Sequence, residues 1–155
     1  MDGLVRVACL SIGGALGVNA RYWLGVALNR WVGHQFPWAT FTINVTGSFA
    51  IGFLTMALAR WLPHPNVRLF VLVGFLGGYT TFSTFAFESL TLWERGESGL
   101  MCGYLGGSVA AGLAAVALGV GLARALTAPA SERAPIVSES RSEDARADRA
   151  EGQGP

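Results

Sequence analysis

The chain has 155 residues, of which 52% are hydrophobic and only 14% charged, and its formal net charge is +1. With a mean hydropathy of +0.44, that composition excludes an ordinary soluble domain, and basic residues scattered at segment ends make no patch for nucleic acid. Cys9 and Cys102 both lie in apolar stretches and are read as packing residues, neither a disulfide framework nor a metal site.

Four apolar stretches, each near the ~20 residues that cross a bilayer as helix, run from Leu4 to Leu28, Ala39 to Trp61, Leu69 to Trp93 and Leu100 to Leu122. Trp23, Trp31, Trp38, Trp61 and Trp93 fall at or near their ends, where an amphipathic ring prefers the headgroup level. Links of roughly 6 to 10 residues oblige neighbouring helices to run antiparallel and leave no room for a catalytic domain outside the membrane. The expected fold is therefore all-α and integral to the membrane, with four spans.

The first span is too long for the apolar region of a signal peptide and lacks a cleavage site, so it is expected to remain in the mature chain. Its segment GGALGVNARY, Gly13 to Tyr22, carries Arg21. A lone charge in hydrocarbon costs at least ~2.5 kcal/mol, so Arg21 calls for a partner or a watery cavity and is a candidate anion attractor. The alternative is an arginine that snorkels to the interface beside Tyr22 and Trp23.

Pro37 and Trp38 stand where the second span should begin, since proline suits a first helical turn. In TFTINVTGSFAIGF, Thr40, Asn44 and Ser48 recur every fourth residue and form one polar stripe beside Gly47. Such a stripe faces either water or a neighbouring helix. Asn44, with two amide donors, is its strongest candidate anion ligand.

The third span holds GFLGGYTTFSTFAFE, Gly74 to Glu88. Adjacent glycines followed by adjacent threonines hold a helix poorly, so a break is expected between Gly77 and Thr81. Backbone freed at membrane depth is tolerated where it is buried in protein or lines a cavity, and there it can coordinate an ion. Thr80, Thr81, Ser83 and Thr84 can satisfy freed backbone groups or face a permeant species, and Phe82 and Phe85 share a face beyond the break. A phenyl edge carries partial positive charge, so an anion can meet it without the repulsion of the ring face. Glu88 can cap such a pathway, pair with an arginine or sit near headgroups.

In the fourth span, Tyr104 and Ser108 align as a second track of hydroxyls. The pairs Gly13 with Gly17, Gly74 with Gly78, Gly103 with Gly107, and Ser108 with Gly112 have the spacing that lets helices approach closely in lipid. A single unit so tightly packed has little room for an aqueous path, which favours a homo-oligomer. Residues 127–155 are expected to be a disordered polar tail, leaving 1–126 as the membrane domain. Arg6, Arg60, Arg68 and Arg124 flank the side that carries the termini, against Arg30 and Arg95 on the other, which places the termini in the cytoplasm. There is no phosphate loop and no His-Glu helix pair for zinc, His34 and His64 fall in links, and Gly47-Ser48 has no histidine at membrane depth. An enzyme is not expected.

These segments resemble the Fluc (CrcB) fluoride channels, four-span proteins that work as antiparallel, dual-topology homodimers. The resemblance covers the first ~125 residues and rests on GGALGVNARY, NVTGSFAIGF and GFLGGYTTFSTFAFE together. It implies a fluoride-selective channel of the inner membrane that lets cytoplasmic fluoride leave passively and so relieves its toxicity. It also implies that Arg21 stands near an aqueous vestibule, Asn44 lies in the pore, and Phe82 and Phe85 present their edges to fluoride. The carbonyls of Gly77 and Thr80 correspond to those that bind a structural Na+ on the dimer axis. Ser83 and Thr84 fall in the polar pore region, Glu88 matches a pore-end carboxylate, and Tyr104 with Ser108 matches a hydroxyl track. The tail extends past the family pattern. The arginine bias departs from the near balance of dual insertion and raises a paralogue of opposite orientation as a partner.

Two other readings compete. A four-span multidrug transporter needs a carboxylate in the first span, where this chain carries Arg21 instead. An assembly subunit without transport explains the small residues but not the aligned polar groups.

Overall fold

The computed structural model describes residues 2–32 and 35–127. His34 and the expected tail from residue 128 onward lie outside the described residues, while Thr127 closes the last helix. Among the described residues the chain is all helical. It forms α1 (Asp2–Val32), α2 (Trp38–Trp61), α3 (Pro65–Arg68), a π-helical segment (Leu69–Phe75), α4 (Leu76–Tyr79), α5 (Phe82–Glu94) and α6 (Ser98–Thr127). Four helical stretches are long and apolar enough to cross a membrane: Gly3–Val32, Trp38–Trp61, Pro65–Glu94 and Ser98–Thr127.

All four exceed the expected spans, the second by Trp38 alone, because hydropathy fades at the first polar residues whereas the backbone hydrogen-bond ladder does not. The links shrink accordingly: only residues 62–64 separate α2 from α3, and 95–97 separate α5 from α6. Pro37 caps α2 at its N-terminus, as its position in the sequence indicates. The turn into α6 uses Gly96 at φ 76°, where the Gly96 and Glu97 amides donate to the Trp93 and Leu92 carbonyls at 2.9 and 3.0 Å. This closes α5 with a left-handed glycine that no side-chain-bearing residue would adopt so readily.

Two packing seams organise the bundle. In the first, α1 lies against the π segment and α4, glycine to glycine. A Cβ at Gly13 would come 2.6 Å from the Phe70 carbonyl, one at Gly78 would come 2.6 Å from the Gly14 carbonyl, and one at Gly17 would fall on the Phe75 carbonyl. The expected pairs Gly13/Gly17 and Gly74/Gly78 thus interlock with each other. In the second seam, α2 packs along α6 through Gly52 against Val116 and Gly119 against Phe49 and Phe53, a pairing absent from the expected set. A Cβ at Gly103 or Gly107 would meet no atom within 4 Å among the described residues, so that expected pair makes no close helix contact within the described chain.

The third span changes character along its length. Its π segment has wide turns, with the Leu76 amide reaching back to the Val71 carbonyl, and such segments recur at functional sites. The break lies within the expected Gly77–Thr81 window but only at its far end. Gly77, Gly78 and Tyr79 stay helical, whereas Thr80 (φ −81°, ψ 158°) and Thr81 (φ −150°, ψ 116°) are extended. Gly78 packs closely against Gly14 of α1 while Gly77 is exposed, and the β-branched threonines, which favour extended backbone, take the break.

Candidate functional site

Two extended residues in the middle of a span free several backbone groups, and the structure satisfies them with named side chains. The Thr81 amide, which an unbroken helix would send to the Gly77 carbonyl, donates to Asn44 Oδ1 at 2.9 Å. Asn44 Nδ2 donates back to the Thr81 carbonyl at 3.0 Å. One amide side chain therefore pairs with both polar groups of a single residue, as a neighbouring strand would. Thr81 is buried, at 8% exposure, so leaving either group unpaired would carry a desolvation cost of ~1–3 kcal/mol.

The other hydroxyls finish the turn. Thr81 Oγ1 accepts from the Thr84 amide at 3.3 Å, capping α5, and lies 3.0 Å from Thr84 Oγ1 and 3.3 Å from Ser83 Oγ. Thr80 Oγ1 donates to the Leu76 carbonyl at 3.0 Å. Arg21 reaches the same region: its Nη1 donates to the Thr80 carbonyl at 3.4 Å. Because α1 continues to Val32, about 16 Å past Arg21 at 1.5 Å per residue, the guanidinium is set inside the bundle at the break and not at the helix end.

Beyond the break, Phe82 and Phe85 lie 5.8 Å apart between ring centroids but differ in setting. Phe82 is 78% exposed, whereas Phe85 is buried and meets the Tyr104 ring edge-on at 5.1 Å. Tyr104, fully buried, turns its hydroxyl to Glu88 Oε2 at 2.7 Å, and Thr40 Oγ1 donates to Glu88 Oε1 at 2.9 Å. Of the three roles open to Glu88, the structure thus offers a fourth, two hydroxyl partners from two other helices.

A cavity of about 370 Å³ sits against the break. It brings together six of the residues singled out from the sequence, Asn44, Gly77, Thr80, Phe82, Phe85 and Ser108, with Gly47 and Ser48 from the polar stripe. Arg21, Ser83, Thr84, Glu88 and Tyr104 do not line it. Ser108 Oγ is buried without a hydrogen-bond partner among the described residues and borders this space. The expected Tyr104–Ser108 track therefore divides, one hydroxyl engaged by Glu88 and the other buried without a partner among the described residues. Sequence reasoning missed Tyr79, whose hydroxyl meets Thr46 Oγ1 at 2.9 Å and whose ring packs over Gly47. Its signal was available, a tyrosine next to the broken turn.

The arrangement offers polar side chains and two phenylalanine rings around a small cavity in the third span, with the Arg21 guanidinium outside its lining but bonded to the Thr80 carbonyl. Among the described residues, no group of three or more His, Cys, Asp or Glu side chains gathers to hold a metal ion.

Comparison with known proteins agrees on one description. Residues 8–120 match the family model "CrcB-like protein, Camphor Resistance (CrcB)". The chain is 43% identical over 123 residues to the fluoride-specific ion channel FluC of Rhodospirillum centenum, covering 79% of this chain and 98% of that protein. It is 48% identical over 131 residues to the fluoride-specific ion channel FluC 2 of Nocardia farcinica, covering 84% and 92%. A third relative, FluC of Nitrobacter winogradskyi, is 42% identical over 121 residues, covering 77% and 96%.

Proposed function

The chain belongs to the CrcB family, and from that premise we propose that it is a fluoride-selective channel through which cytoplasmic fluoride leaves passively, as an antiparallel homodimer with a structural sodium ion at its centre. The relatives named above are channels, not enzymes, which accords with the missing catalytic motifs. The observation that carries the reading is the Thr80–Thr81 break, clasped by Asn44 and opening on a cavity bordered by Ser108, Phe82 and Phe85.

Fluoride is small and strongly hydrated, so a pore must replace its water with dense donors. The hydroxyl of Ser108 stands free for that use, and Arg21 offsets the field cost of an anion in hydrocarbon. Phe82 and Phe85 supply edges that form a narrow wall without strong repulsion.

A second subunit is favoured because one subunit leaves the pathway incomplete. Phe82, Ser83, Thr84 and Gly77 are exposed on it at mid-span, and Gly103 and Gly107 offer an open small-residue face. The arginine bias along the spans keeps a paralogue of opposite orientation as the other candidate for that subunit.

The residues fit a sodium ion. The Gly77 carbonyl loses its helical donor because the Thr81 amide goes to Asn44, and the Thr80 carbonyl, whose Thr84 donor turns to Thr81 Oγ1, accepts in its place a 3.4 Å bond from Arg21 that a bound cation would have to displace or share. Such hard oxygen donors suit a hard cation, and a bound sodium ion would supply fixed positive charge near the pathway.

Fluoride efflux from proteoliposomes, followed with an ion-selective electrode, tests the reading. Rapid fluoride release without chloride release is expected, and it should collapse in Phe82→Ile, a change that costs little stability at so exposed a site. Equal release of chloride, or release of neither ion, would overturn it.

A further inference from the structure

The third span borders a second cavity, of about 260 Å³, at the membrane edge opposite the termini. Its polar lining comes from Asn29 at the end of α1, Gln35 in the following link, and Glu88, Thr91 and Arg95 along and just after α5. Asn29 and Gln35 each carry two amide donors, and Arg95 carries five in a planar fork. The Thr91 hydroxyl donates to the Phe87 carbonyl at 2.9 Å and is not free. Glu88 is the one acid in the lining, and both its oxygens already accept from Thr40 and Tyr104. Arg95 makes no ion pair among the described residues and stands exposed at the rim of the cavity, while Glu88, which keeps its negative charge on accepting two neutral hydroxyls, is the half-buried acid of the same lining.

The two cavities are neighbours. Phe85 lines the first, Glu88 lines the second, and Tyr104 joins them, touching the Phe85 ring and donating to Glu88. An anion leaving the break along α5 would thus come next to the second cavity.

We propose that this cavity is an anion-collecting mouth of the pathway, in which Arg95 captures a hydrated fluoride ion and the Asn29 and Gln35 amides complete its donor shell. The inference rests on the channel reading. A guanidinium at the rim of a low-dielectric cleft raises the local concentration of an anion and speeds its entry, most at low ionic strength, with the Glu88 charge farther in opposing it. Arg95 also lies at the headgroup level, beside Trp93, where a charge keeps its contact with water. Arg30, at the same membrane edge but outside the lining, provides an internal control, since its removal changes net charge equally.

Single-channel conductance in planar bilayers at low fluoride concentration tests the proposal, with ionic strength set by sodium gluconate. Arg95→Gln is expected to lower the fluoride conductance at least ~3-fold at low ionic strength. The gap should close to within about twofold near 1 M salt, where the screening length falls to ~3 Å. Arg95→Lys should retain most of the wild-type conductance, and Arg30→Gln should stay within about 1.5-fold of it, because steering acts through local charge. If Arg95→Gln does not assemble, Asn29→Leu probes the same mouth and should lower conductance by removing donors. Wild-type conductance in Arg95→Gln at low salt, an equal loss in Arg30→Gln, or a loss undiminished at high salt would overturn the mouth while leaving the channel reading intact. Absence of any wild-type fluoride current would overturn the channel reading itself, and the mouth with it.

Discussion

The residues before the Thr80–Thr81 break and those after it meet their neighbours through different atoms. Upstream, the π segment and α4 approach α1 backbone to backbone, with Gly74 facing Gly13, Gly78 facing Gly14 and Gly17 facing the Phe75 carbonyl. Downstream, α5 is held through side chains: Phe85 and Leu92 pack with Tyr104, and Glu88 takes hydroxyls from α2 and α6. Close backbone packing tolerates no added atom, whereas a side-chain interface leaves groups free to face a cavity. The upstream half fixes where the break occurs, and the downstream half presents the chemistry.

That contrast can be broken most severely at the upstream seam. Gly17→Val puts a branched side chain on the Phe75 carbonyl with no room to yield, so loss of a monodisperse folded peak in detergent is expected. Recovery of well-folded protein would show the seam to be looser than a backbone contact.

A smaller effect is expected where the halves join. Asn44→Leu removes both bonds to Thr81 and should lower stability by ~1–3 kcal/mol, read as a reduced Tm in detergent, and abolish fluoride efflux. An unchanged Tm would mean that other groups satisfy Thr81.

Smaller still is Glu88→Gln on the downstream half. The neutral amide keeps one acceptor for Thr40 or Tyr104 but presents a donor to the other, so a loss of ~1–2 kcal/mol is expected in the same thermal assay. A larger loss would identify the Glu88 cluster as an anchor equal to the glycine seam.

The smallest change sharpens the comparison on α6. Gly103→Ala meets nothing within 4 Å in its own subunit and should raise the stability of the isolated fold by ~0.5–1 kcal/mol through helix propensity. In the proposed dimer, faster subunit exchange in this variant would show that a partner covers the open face. If exchange is unchanged, the face meets lipid.

Much of this was legible in the chain. Hydropathy placed four spans, and Gly13, Gly17, Gly74 and Gly78 announced a close helix contact through their spacing. Asn44, Phe82, Phe85 and Ser108 stood out in the chain because polar groups and glycines interrupt apolar runs there, and the structure gathers them round one cavity. The π segment was not legible, since LFVLVGF reads as any apolar helix. Nor was the fate of Glu88, because hydroxyls at Thr40 and Tyr104 lie 48 and 16 residues away in the chain.

By itself the sequence determined the spans, their antiparallel order and the approximate place of the interruption, since burying apolar side chains in lipid and breaking a helix are local effects of residue type. Only the tertiary structure decided that the threonines open while the glycines stay helical, and that Asn44 closes the gap. Those outcomes depend on which helix stands opposite. A freed amide or a close-packed glycine is settled by the partner it meets across the bundle, and no local pattern names that partner.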